Sequence, residues 1–340
     1  MINYIKTLDL KRVLFSLMLV ALSVSAGVYA NESSTDDWYP SKWGKDDTLG
    51  SVNEITTDSI VTAAKLVKIG KRYALGQVTS RDTPAFGSRT FQLFAVSHGG
   101  VFNGTSEPVG AGQLTTNDDW ALVYFGIGSQ IDGLGHVGIN HVYYNGNRIE
   151  DFYHPSGLKK LSTDQIPPIV ARGVVLDIVG YLREHDPSKL MTIEGHEMLK
   201  GGVAINKPEI TGALTRQNIA LASGDVVLLH TGYMVLGDID QEAYKKSLPG
   251  IGLQGALFLA EHNPVAVGAD TFATEVLPGE IEGEFLPAHT ELITKRGIYI
   301  LENMVTHELV ADEGWEFLFV LGQARLKGAV QMIINPVAIR

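Results

Sequence analysis

Gly126-Ile127-Gly128-Ser129-Gln130-Ile131-Asp132-Gly133-Leu134-Gly135-His136 is the densest run of chemistry-bearing residues in the chain. It directly follows residues 120–125, an apolar run that predicts a strand buried on both faces. Gly-rich turns at strand ends are where sites are built, because the rigid strand fixes what the turn displays. Gln130 and Asp132 are two apart, so both project to one side of an extended segment. His136 lies four beyond Asp132 and shares its side if a helical turn begins there. An amide, a carboxylate and an imidazole in this pattern suit part of a divalent metal site. They equally suit a Gly-rich turn in which Asp132 caps a helix start and His136 packs among polar neighbours.

Working outward, residues 57–69 show helical spacing (Ile60, Val61, Ala64, Leu66, Val67) behind a Thr-x-x-Ser start, and Gly70 stops them. Residues 91–96 predict a strand, and 169–179 a strand interrupted at Gly173. Residues 192–199, 211–221 and 253–262 predict helices, and Glu291 to Ile293 also look helical. Buried strands are expected at 226–229, 265–268, 298–301 and 315–321, and residues 330–339 close the chain. Strands outnumber helices and alternate with them irregularly. A single mixed α/β domain fits that better than a regular doubly wound sheet. No GxGxxG or P-loop pattern follows a strand, so nothing argues for nucleotide binding.

A second cluster lies later. His289 sits in Pro287-Ala288-His289, and Glu302 ends the apolar run 298–301. Each residue alone is compatible with an ordinary structural role. The helix, turn and strand between them would bring both to one end of a sheet.

The chain has 340 residues, 45% hydrophobic and 19% charged, which is a globular mix and excludes a disordered one. Its net charge of −11, with no basic block, argues against nucleic acid and anionic membranes as partners. The absence of cysteine excludes disulfides, thiolate catalysis and Cys–zinc sites. At the N-terminus, Lys6, Lys11 and Arg12 precede an uncharged apolar run at 13–26. Val28-Tyr29-Ala30 then offers a small-x-small cleavage site. The pattern predicts a secretory signal peptide over residues 1–30, whose apolar run is too short to span a bilayer. The mature chain, residues 31–340, is then expected to be exported, to the periplasm, with no membrane attachment after cleavage.

These residues resemble the cyclase family of metal-dependent hydrolases, which includes kynurenine formamidase and isatin hydrolase. The family signature is His-x-Gly-Thr-His-x-Asp-x-Pro-x-His. Here it matches as Gly126-x-Gly128-Ser129-Gln130-x-Asp132-x-Leu134-x-His136, with the spacing complete and two histidines replaced. The run Gly128 to His136 is similar to a Gly-Thr-Gln-x-Asp-Gly-Leu-Gly-His branch. Further blocks of that branch follow in order. They include Trp43 to Gly50, Tyr143 to Gly146, Gly224 to Leu228 with Thr231-Gly232, Gly268 to Thr271, and His289 through Glu302.

The resemblance implies a swivelling β/β/α fold with a barrel-like mixed sheet and flanking helices, assembled as a homodimer or homotetramer. It implies a divalent metal, manganese or zinc, with magnesium or calcium as further candidates. Asp132, His289 and Glu302 fall on ligand positions, and His136 falls on the general acid/base. Gly126 and Gln130 fall on ligand histidines. Gly126 has no side chain to offer and Gln130 only an amide, which gives a more oxygen-rich site. Oxygen donors suit manganese, magnesium or calcium, and imidazole-rich sites suit zinc. His98 and His141 are spare imidazoles for metal or substrate. Trp43, Phe86 and Phe91 are candidate walls of an aryl pocket, with core packing as their ordinary role. The implied activity is hydrolysis of a small amide or lactam, arylformamidase- or isatin hydrolase-like, by metal-activated water. The alternative is an exported small-molecule-binding protein that kept the fold and lost the metal.

Overall fold

The computed structural model describes residues 38–97 and 107–340. The expected signal peptide and His98 lie outside those residues. Nine strands form one sheet and are labelled here in chain order. They are β1 (Arg72–Ala74), β2 (Gln130–Asp132), β3 (Ile169–Asp177), β4 (Val226–His230), β5 (Ala266–Ala269), β6 (Tyr299–Glu302), β7 (Glu316–Leu321), β8 (Gln331–Ile333) and β9 (Val337–Ile339). Their order across the sheet is β1-β9-β7-β3-β4-β5-β6-β2-β8. β3 to β6 run parallel to one another, and the outer strands pair antiparallel. The sheet curls into a half-barrel flanked by helices, as the barrel-like mixed sheet expected.

Val226, Val227, Leu228 and Leu229 are fully buried, as are Ala266, Val267, Ile300 and Leu301. Such continuous apolar runs are what a strand covered on both faces requires. Helices Thr57–Ala64, Ile178–His185 and Lys207–Gln217 pack beside the sheet. The parallel direction sets Asp177, His230, Ala269 and Glu302 along one edge, at the carboxyl ends of β3 to β6. β2 runs opposite to β6, so its first residue, Gln130, pairs with the last of β6, Glu302.

Several expectations are corrected. The strand at 120–125 is Asn117–Val123, and it is exposed rather than buried on both faces. Among the described residues it pairs only with Phe91–Ser97, as a two-stranded ribbon outside the large sheet. Trp120 is 55% exposed and stacks on Phe94 at 4.4 Å. An apolar run records a preference for burial, and it does not record which sheet the strand joins. The helix expected at 192–199 is a hairpin of Leu190–Ile193 and His196–Leu199. Glu194 and Gly195 both take positive φ at its turn, the geometry that matches strand twist in a two-residue loop. The helix expected at 211–221 is Lys207–Gln217. Its start is set by Pro208 and by Glu209, whose carboxylate accepts the Asn206 N–H at 3.0 Å. The first helix ends at Ala64 rather than 69. The closing segment splits into β8 and β9.

Gly173 does not interrupt β3, which runs unbroken through it. Gly173 lies opposite Phe317 on β7, and a Cβ there would stand 2.0 Å from the ring. Gly173→Ala is therefore expected to destabilise the fold by about 1–3 kcal/mol through overpacking. Urea unfolding followed by tryptophan fluorescence measures it, and an unchanged midpoint refutes it.

Candidate metal centre and active site

The register of β2 against β6 and β8 builds the centre. Gln130 and Asp132 face the same side, while Ile131 between them is buried in the core. Asp132 pairs with Ile300 on one side and Gln331 on the other. Gln130 Nε2 donates to Asp132 Oδ1 at 3.1 Å and to Glu302 Oε2 at 2.7 Å. Gln331 Nε2 donates to Asp132 Oδ1 at 2.7 Å. Gln130, Asp132 and Glu302 are all buried.

His289 arrives from the short helix Pro287–His289, which runs on into the π-helical turn Thr290–Lys295. Its Nδ1 bonds Glu275 Oε2 at 2.7 Å, and Glu275 also accepts the backbone N–H of Ala288 and of His289. That clamp leaves Nε2 aimed at Glu302 Oε1, 3.5 Å away, and Asp132 Oδ2, 3.9 Å away. His136 is carried by a turn, with its N–H on Gly133 O, not by a helical start. Its Nε2 stands 4.0 Å from the same Asp132 Oδ2.

The electrostatics follow from burial and crowding. Burial, then the Asp132 charge, raise the Glu302 carboxyl to about 7, against the pull of His289 and Arg89. Burial disfavours the charged His289 imidazole, but Glu275 and Glu302 outweigh it and push it up to about 10. For His136, burial dominates and lowers the pKa. Asp132 opposes that fall, while His289 and Arg89 add to it.

The donor set fits a divalent cation. One ligand atom each from Asp132, His289 and Glu302 lie within 4.8 Å of one another. Metal bonds of roughly 2.0–2.3 Å require such separations. Asp132 Oδ2 and Gln130 Oε1 are buried and have no hydrogen-bond partner among the described residues. A buried unpartnered carboxylate oxygen is costly unless something cationic meets it. His289 Nε2 lies between the Glu302 and Asp132 carboxylates, where a cation would compete with a proton for it.

The structure brings together Gln130, Asp132, His136, His289 and Glu302, the set that the family resemblance implied. It does not bring His141, which is exposed and lies outside this cluster. Trp43 packs against the core, Phe91 belongs to the outlying ribbon, and Phe86 is 47% exposed with its ring 6.2 Å from Phe272. Sequence reasoning missed Glu275 and Gln331. No spacing rule ties a carboxylate to an imidazole fourteen residues on. Glu275→Gln is expected to weaken metal binding by about 10- to 100-fold, the usual cost of losing the carboxylate behind a ligating histidine. Competition against a metal-indicator dye measures this, and unchanged affinity removes Glu275 from the assembly.

A family model described as "Putative cyclase" matches residues 73–276. No curated protein matches the chain. Among solved structures, one described as a novel cyclase is 27% identical with a TM-score of 0.76, covering 89% of this chain and 97% of its own. Isatin hydrolase A from Ralstonia solanacearum is 17% identical with a TM-score of 0.58, covering 84% and 98%. An isatin hydrolase bound to the product analogue thioisatinate is 14% identical with a TM-score of 0.56, covering 84% and 98%. These likenesses bear out the swivelling β/β/α fold.

Proposed function

The chain belongs to the cyclase family, and from that premise we propose that it is a divalent-metal-dependent hydrolase of a small amide or lactam. The observation that carries this reading is the convergence of Asp132, His289 and Glu302 around the unpartnered Asp132 Oδ2, with His136 beside it. Asp132, His289 and Glu302 would hold the metal, with the Gln130 amide oxygen as a fourth donor. Manganese is the proposed ion, since all donors but His289 are oxygens. When bound, such an ion polarises a carbonyl and acidifies water.

The chain's own residues supply the rest. Asp132 and His289 stay fixed by Gln331 and Glu275, so the donors need no rearrangement. Burial favours neutral His136, which leaves it able to accept a proton. Its Nε2 takes the proton of the attacking water and returns it to the departing nitrogen, the ordinary work of a positioned imidazole. Export through the N-terminal segment and assembly as a homodimer or homotetramer belong to the same proposal.

The test is metal content followed by a substrate panel. Protein purified without chelator is expected to carry about one divalent ion per chain (the three-ligand group found among the described residues being its place) and to hydrolyse isatin or N-formylkynurenine or their analogues. A chain that binds no metal and hydrolyses none of them is instead the small-molecule-binding protein.

A further inference from the structure

We infer that Arg89 is a carboxylate-binding residue beside the centre, so that within the proposed substrate class the chain favours molecules that carry an anionic group. This deepens the hydrolase reading and rests on it. The placement comes from Gly126, which is buried at the rim. Arg89 Nη1 donates to Gly126 O at 2.8 Å. A Cβ on Gly126 would stand 2.9 Å from that Nη1, 3.0 Å from Arg89 Cζ and 2.6 Å from Gln331 Oε1. The guanidinium and the Gln331 amide thus converge on one point. The other end of that amide is bonded to Asp132. Arg89 therefore stands a single side chain away from the ligand group.

Its fork is largely uncommitted. A guanidinium has five N–H donors, and the one bond described above uses one of them. Among the described residues no carboxylate lies within ion-pairing distance of Arg89. Arg89 is only half-buried, so the free donors are reachable. An arginine fork matches a carboxylate through two parallel N–H bonds. The backbone N–H of Arg89 closes a turn on Phe86 O, and Phe86 is 47% exposed beside it.

The experiment titrates benzoate and its neutral counterpart benzamide into the metal-bound chain by calorimetry, for the native protein and for Arg89→Met and Arg89→Lys. Bound metal and Tm are measured on each. Benzoate is expected to bind more tightly than benzamide. Arg89→Met should weaken benzoate by about 10- to 100-fold, the scale of a charge-assisted pair, and leave benzamide unchanged. Arg89→Lys should recover part of the loss, and it carries the comparison if the Met variant is unstable. Equal affinity for the two probes overturns the inference. So does benzoate binding that is undiminished in both variants, because the carboxylate then rests on the metal alone. Hydrolysis absent from every substrate, with Arg89-dependent benzoate binding intact, defeats the hydrolase reading and leaves the carboxylate subsite standing.

Discussion

Protein carrying Asp132→Ala is expected to emerge from purification without its metal and without turnover. Asp132 is fully buried, and its Oδ2 is the atom on which His289 and His136 both converge. Removing it takes away a charged donor that no neighbour replaces. Gln331 and Gln130 are amides, and their Nε2 groups, which now point at the lost carboxylate, would be left without that acceptor. The loss in metal affinity should exceed the roughly 10- to 100-fold expected for a residue acting behind a ligand. Elemental analysis and steady-state kinetics on one preparation read both effects. The fold should survive, because the substitution removes a buried charge and breaks no apolar contact. Metal retained at the native level in Asp132→Ala sinks the assignment of the centre.

His136→Ala should separate chemistry from metal binding. His136 reaches Asp132 Oδ2 at 4.0 Å but stands outside the group formed by Asp132, His289 and Glu302. Its removal is expected to leave metal content nearly intact and to lower kcat by about 10²–10⁴-fold, the scale of general acid–base catalysis. The size follows from the proton inventory. Both carboxylates would face the cation, and His289 is held at Nδ1 by Glu275, so within this cluster of described residues His136 is the group left to carry the proton. If His136→Ala and Asp132→Ala lose metal equally, His136 is a ligand. If kcat is unchanged in an enzyme otherwise active, His136 takes no part in the reaction.

Most of the centre was legible in the chain. Gln130 and Asp132 were placed on one face by the two-residue period of a strand. Glu302 was placed at a strand end by the apolar run before it. These are local consequences of backbone geometry, and burial of Val226–His230 confirms how far continuous apolar runs carry the central sheet. The misses have one character. The hairpin at 190–199 was read as a helix because its apolar spacing is ambiguous over so short a span. The positive φ at Glu194 and Gly195 that settles it is written weakly when the first turn residue is glutamate. The ribbon at Asn117–Val123 reads as core because tryptophan and leucine prefer burial wherever a partner sheet exists, and none among the described residues covers it.

The sequence by itself determined which candidate donor residues the chain offers, the mixed α/β class and the central strands, since residue chemistry and backbone period are local properties. The tertiary structure alone decided which residues meet. Glu275 reaches His289 across a loop. Gln331 reaches Asp132 because β8 pairs with β2 across 199 positions of chain. Arg89 reaches Gly126 because a glycine leaves room for it. Such contacts depend on register and on empty volume, and neither is a property of any segment taken alone. They arise only when distant strands close on one another and exclude water from the space between them.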